Sequence, residues 1–174
     1  MTNETPLSPI SQLTIFQNFV HLAKNYCRFI ETTSTSPFPE YLKLVQSHLL
    51  QLYSSATQLP QTELNSETDY IHDITVQKEA AWKQIANNLG KYQYYWVKFN
   101  PVETDNEPLV CCDLTDDLLN IYSELLTDIM TWELGTDDSK HISAYDFKLN
   151  FEIHWGFHCI NALYAIHYFI EQEN

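Results

Sequence analysis

His154 and His158 stand four residues apart in a segment, Phe147–Ile170, whose apolar spacing predicts a helix. Side chains at i and i+4 lie one above the other on a helix face, a spacing at which two imidazoles can share one metal ion. With His154 at zero and about 100° per residue, His158, Asn161, Ala165 and Tyr168 fall within about 40° of it. Trp155, Cys159, Leu163, Ile166 and Ile170 flank that stripe on one side, and Ile153, Phe157, Ile160 and Tyr164 on the other. Most of the circumference is apolar, as expected of a central helix buried on several sides. The pair is not an H-E-x-x-H motif. Trp155, Gly156 and Phe157 occupy the intervening positions, and Glu152 projects about 160° away from His154. Gly156 costs helix propensity and is expected to mark a close approach by another helix. The plain structural alternative is that the polar stripe is the one wet side of the helix.

A second helix, predicted from about Thr115 to Trp132, supplies the carboxylates that could complete a site. Leu118, Ile121, Tyr122, Leu125, Leu126 and Ile129 fill its apolar sector. Asp117, Glu124 and Asp128 lie within about 40° of one another at the sector's border. If the two helices pack together, His154, His158, Asp117, Glu124 and Asp128 form a candidate set for a divalent metal, the one cofactor class the sequence suggests. The ordinary reading of the three carboxylates is a solvated face, and Asp116 and Asp117 also suit the positive end of the helix dipole. Trp96, Tyr122, Trp155 and His158 form a candidate small-molecule pocket. No serine sits in a nucleophile elbow. Cys111 and Cys112 precede the acidic helix, where the dipole lowers a thiol pKa and the carboxylates raise it. The sequence assigns no catalytic residue and leans away from an enzyme.

Three further helices are expected: Ile15–Glu31, about Pro39–Gln58, and about Val76–Leu89 with Gly90 as its C-terminal stop. The fifth of the set runs from about Ser139 to Glu171 and contains the histidine pair. Tyr92–Pro108 is aromatic; it has room for a short extended piece, but its rings are expected to cover a core edge rather than to form a sheet. The fold class is therefore all-α, a single-domain bundle of about five main helices over residues 13–174, preceded by a flexible segment at 1–12.

The 174 residues carry nine Lys and Arg against 23 Asp and Glu, a formal charge of −14. Eleven of those 23 acids lie between Lys98 and Lys140, where there is no basic residue. That balance opposes nucleic-acid binding and anionic membranes. Three glycines, Gly90, Gly135 and Gly156, are too few and too scattered for a phosphate loop. No apolar run approaches a membrane span of about 18 residues, and no signal peptide is visible. Four cysteines without a C-x-x-C suggest neither a zinc ribbon nor a disulfide scaffold, and the expected setting is cytoplasmic.

Tyr95-Trp96-x-x-Phe99-x-Pro101, Leu114-Thr115-Asp116-Asp117-Leu118-x-Asn120-Ile121-Tyr122 and His154-Trp155-Gly156-x-His158 occur in that order. A helix carrying Tyr26-Cys27 precedes them, and Ala162-Leu163-x-Ala165-Ile166-His167 follows. Together they resemble a bacterial uncharacterised family, domain of unknown function 5063, over roughly residues 15 to 170. The resemblance implies an all-helical fold in a bacterial cytoplasm and assigns no reaction, substrate or cofactor. Asn120 departs from the carboxylate expected there, which weakens any metal site built on Asp116, Asp117 and position 120. The leading functional expectation is a non-enzymatic protein-binding or regulatory domain. Its acidic face would meet a basic protein partner, with aromatics at Tyr92–Trp96 as anchors. The alternatives are a metalloprotein or enzyme built on His154 and His158, and a pocket without catalysis. The sequence does not indicate an oligomeric state.

Overall fold

Asp113 ends an extended segment, and its carboxylate accepts a hydrogen bond from the Thr115 amide at 2.7 Å, starting a helix that the rest of the chain surrounds. In the computed structural model this helix, α4, spans Leu114–Glu133. Residues 9–33, 39–64, 68–98, 102 and 108–172 are described, with side chains from Thr14 onward. Before α4 come α1 (Pro9–Thr32), α2 (Glu40–Ala56), α3 (Thr75–Leu89), β1 (Tyr94–Val97) and β2 (Val110–Asp113). After it come α5 (Asp137–Asn150), a π-helical turn (Phe151–Trp155) and α6 (Gly156–Gln172). The chain is a predominantly helical domain. α5, the π turn and α6 run on from one another, so the main helices number five when that run is counted once. α1 starts at Pro9, inside the stretch expected to be flexible, and residues 1–8 lie outside those described.

Each boundary has a local cause. The Thr136 hydroxyl accepts from the Ser139 amide at 3.0 Å and starts α5, and Asp137 and Asp138 occupy its first turn. Gly90 ends α3 at φ +55°, a backbone state costly for a residue with a Cβ. α4 packs against α1, α3, α5 and α6, while α2 covers the far side of α6. Where these helices meet, Phe19, Tyr26, Tyr122, Phe147 and Trp155 are fully buried. Two buried tyrosine hydroxyls find partners: Tyr26 donates to the Leu118 carbonyl at 2.9 Å, and Tyr122 to Glu31 at 2.8 Å.

The aromatic segment does form a sheet, contrary to expectation. β1 and β2 pair antiparallel, with Tyr94 opposite Asp113, Tyr95 opposite Cys112, Trp96 opposite Cys111 and Val97 opposite Val110. Alternation along β1 turns Tyr95 into the core and leaves Tyr94 and Trp96 exposed. The Leu114 amide donates to the Gln93 carbonyl at 2.7 Å, so the ribbon is fixed to the first turn of α4. Tyr95 is thereby held beside Asp117.

No helix among the described residues is long and apolar enough to cross a membrane.

Candidate functional site

α4 and α6 pack side by side and bring four of the sequence-derived site residues together. His158 Nδ1 lies 2.8 Å from Asp117 Oδ1, and His154 Nδ1 contacts Glu124 Oε1. The two remaining ring nitrogens, His158 Nε2 and His154 Nε2, face each other at 3.3 Å. Asp117 Oδ2 accepts the Tyr95 hydroxyl at 2.5 Å. The result is a continuous polar chain, Tyr95–Asp117–His158–His154–Glu124, running from the core to the surface. A carboxylate only accepts, so the bond to Asp117 puts a proton on His158 Nδ1, and the bond to Glu124 puts one on His154 Nδ1. Both Nε2 atoms are thus the free ends of rings whose tautomers are fixed from behind.

The histidine rings are nearly perpendicular, at 82°, with centroids 4.7 Å apart. A head-on N–H···N bond would place the centroids a ring radius further apart at each end. The two Nε2 atoms therefore approach each other off the line of a head-on bond. The hydrogen bond to Asp117 raises the His158 pKa, against a smaller opposing effect of burial. Asp116, Glu124 and the charge of Asp117 push in the same direction as that hydrogen bond. Burial raises the Glu124 carboxyl, whose Oε2 is buried without a partner among the described residues, and contact with His154 lowers it in part.

The acidic edge of α4 is not a solvated face. Asp117 is only 5% and Asp128 only 4% exposed. Asp128 does not join the histidines. Its Oδ2 accepts from Asn150 Nδ2 at 3.3 Å, and Ser143 donates to its backbone carbonyl at 2.6 Å. Burial, then the nearby Asp146, drives its pKa well above the ordinary range. Asp128→Asn is expected to stabilise the protein at pH 8 by about 1 kcal/mol, a rise in Tm of roughly 2–4 °C for a chain of this size. It replaces a carboxyl whose ionisation burial opposes and keeps an acceptor for Asn150. Calorimetry decides: a lower Tm would mean that the ionised carboxylate supports the fold.

The candidate pocket residues are spread over different environments. Tyr122 and Trp155 are in the core, Trp96 is 62% exposed on the ribbon, and His158 belongs to the polar chain. A surface pocket does exist between α3 and α4, lined by Thr75, Lys78, Glu79, Trp82, Lys83 and Leu119. Glu152 is held by Lys148 at 3.1 Å and Gln61 at 2.8 Å, away from the histidine pair. Among the thiols, burial pushes Cys159 up to about 12 and also raises Cys27 and Cys112, the last helped by Asp117, so these three stay protonated at neutral pH.

Gly156 also differs from expectation. The close approach there is by Phe151 of the same helical run, not by another helix. A Cβ on Gly156 would lie 2.3 Å from the Phe151 carbonyl oxygen and 3.1 Å from its ring. The Gly156 amide donates to that carbonyl, five residues back, which closes the π turn that contains His154 and precedes His158. Sequence reasoning missed this turn and the role of Tyr95. The signals for Tyr95 were its place in an aromatic run and in the Tyr95-Trp96-x-x-Phe99-x-Pro101 string.

The family described as Domain of unknown function (DUF5063) matches residues 11–172, and the chain belongs to it. No curated protein matches. Among solved structures, the fold is similar to that of protein BF1032 from Bacteroides fragilis, with a TM-score of 0.73 at 22% identity, covering 88% of this chain and 90% of that one.

Proposed function

We propose that this DUF5063 member binds a divalent transition metal through Nε2 of His154 and Nε2 of His158. The observation that carries the reading is the 3.3 Å between those two atoms. Two nitrogens each about 2.0–2.1 Å from a tetrahedral ion stand ~3.3 Å apart. Asp117 and Glu124 act from behind the rings, making carboxylate–histidine pairs that fix the tautomer and strengthen the donor nitrogens. The carboxylates are not ligands in this reading. Among the described residues no three His, Cys, Asp or Glu side chains converge on one point. Water or a ligand therefore fills the remaining positions, an open site suited to binding a further molecule. Imidazole donors favour zinc, copper, nickel or iron over magnesium and calcium.

Isothermal titration of tag-free protein with zinc is expected to show one site, absent in His158→Ala and in His154→Ala. Asp117→Asn is expected to weaken it about 10–100-fold. A heat that persists in both histidine variants, or that magnesium reproduces, would assign the binding to the acidic surface and end the proposal.

A second reading makes the ribbon a contact for a basic protein partner. Tyr94 and Trp96 support it, being exposed on the same face of β1, with Asp113 opposite Tyr94. Binding of a basic protein should then weaken with salt and fall in Trp96→Ala with the fold intact. Binding indifferent to Trp96→Ala would remove the ribbon from consideration.

A further inference from the structure

The π turn and α6 together leave an apolar stripe uncovered. Ile153, Phe157, Ile160, Tyr164 and Tyr168 recur at intervals of three and four, and each is between 48% and 63% exposed. The sequence made this side look like a second buried flank of a central helix. In the fold, α2 and α4 cover the other sides of α6, and this one faces out. A contiguous row of five large apolar side chains is uncommon on a monomer's surface.

We infer that the stripe is a homodimer interface in which α6 packs antiparallel against α6 of a second copy. The spacing is self-complementary. A twofold axis between positions 160 and 161 brings Ile153 against the partner's Tyr168, and Phe157 against the partner's Tyr164. Ile160 packs at the axis. Every large residue of the stripe thereby meets an apolar side chain, as an isologous contact requires. Charge favours a second copy at this place. The chain carries −14, yet no Asp, Glu, Lys or Arg occurs from Ile153 to Ile170. Two acidic molecules can therefore meet along α6 without opposing carboxylates. Area fits as well. Half-exposed side chains of about 150–250 Å² each offer roughly 500 Å² of apolar core. His154, Asn161 and His167 at the rim extend it toward the ~800 Å² that a stable interface takes from each partner.

The test is sedimentation velocity of the full chain in EDTA at physiological salt, from micromolar to hundred-micromolar protein. EDTA keeps the outcome independent of the metal reading. A dimer is expected, unchanged or tightened by high salt, because apolar contact and not charge attraction holds it. Phe157→Glu should weaken it at least a hundredfold with circular dichroism and Tm preserved. A second arm does not depend on that variant: Ile160→Cys in a Cys111→Ser background should form a disulfide-linked dimer, and Trp82→Cys in the same background should not. A monomer at the highest concentration would overturn the inference. So would a dimer indifferent to Phe157→Glu, or equal cross-linking at positions 82 and 160. Monomers that bind an amphipathic peptide or a detergent micelle through the stripe would assign it another occupant and overturn it too.

Discussion

Gly156→Ala is expected to destabilise the protein by about 2–3 kcal/mol and to lower Tm by roughly 5–10 °C. The sign is the informative part, because in an ordinary helix interior the same change stabilises by about 1 kcal/mol. Here the new methyl would stand 2.3 Å from the Phe151 carbonyl oxygen, which is backbone and cannot swing aside. The Phe151 ring, 3.1 Å away, is held between Tyr53, with centroids 5.1 Å apart, and Trp155, at 4.9 Å. Trp155 is itself fully buried and stacked on Phe19. The clash can be relieved only by reshaping the π turn, which rotates what precedes it relative to α6. His154 lies within that turn and His158 beyond it, so the facing of their Nε2 atoms is expected to suffer with stability. Thermal unfolding and a zinc titration of one sample check both consequences. A variant at least as stable as the parent would show that the turn has room for a side chain.

The same turn marks where sequence reasoning succeeded and where it stopped. The long helices were legible because local chemistry limits them: a Thr136 cap, carboxylates in first turns, a glycine after Leu89. The ribbon was not, because β1 is four residues long and exists only through pairing with β2, thirteen residues beyond its end. Nor was the wide turn at Phe151–Trp155, since a constant 100° per residue carries every later side chain forward as if the helix were uniform. The histidine pair and the acidic helix could be named from spacing alone. Which carboxylate serves which ring could not. Asp117 and Glu124 look like wet-face residues until α6 supplies imidazoles from 41 and 30 positions away, and β1 supplies the Tyr95 hydroxyl. The α6 stripe failed in the opposite direction: apolar periodicity tells which residues avoid water, not whether this chain or another covers them.

Stability is expected to peak on the acid side of neutrality and to fall between about pH 6 and 8, the reverse of ordinary acid lability. His158 gains a carboxylate partner on folding, so its folded pKa is raised. Its contribution is complete below the unfolded histidine value of about 6.5 and is lost as pH climbs through the folded value. Asp128, Glu124 and Asp146 are raised chiefly by burial. They too retain protons that the unfolded chain releases above about pH 4, and each favours folding less as pH rises through its folded value. Asp73 and Glu152 are shifted down by hydrogen bonds and act only at the acid end, where they limit the gain. Each proton retained by the folded form is worth about 1.4 kcal/mol per pH unit of slope. Urea unfolding in EDTA at constant ionic strength should therefore show stability declining from pH 6 to 8. Asp117→Asn should remove the part of that slope belonging to His158. A flat or rising profile would mean that the folded protein holds no extra protons. Saturating zinc gives the decisive contrast. A metal on Nε2 competes with the ring proton, so its binding strengthens as pH rises and should reverse the slope above about pH 6.5. His158 would then stabilise the fold through a proton in acid and, together with His154, through a metal in alkali, and His158→Ala should abolish both of its effects.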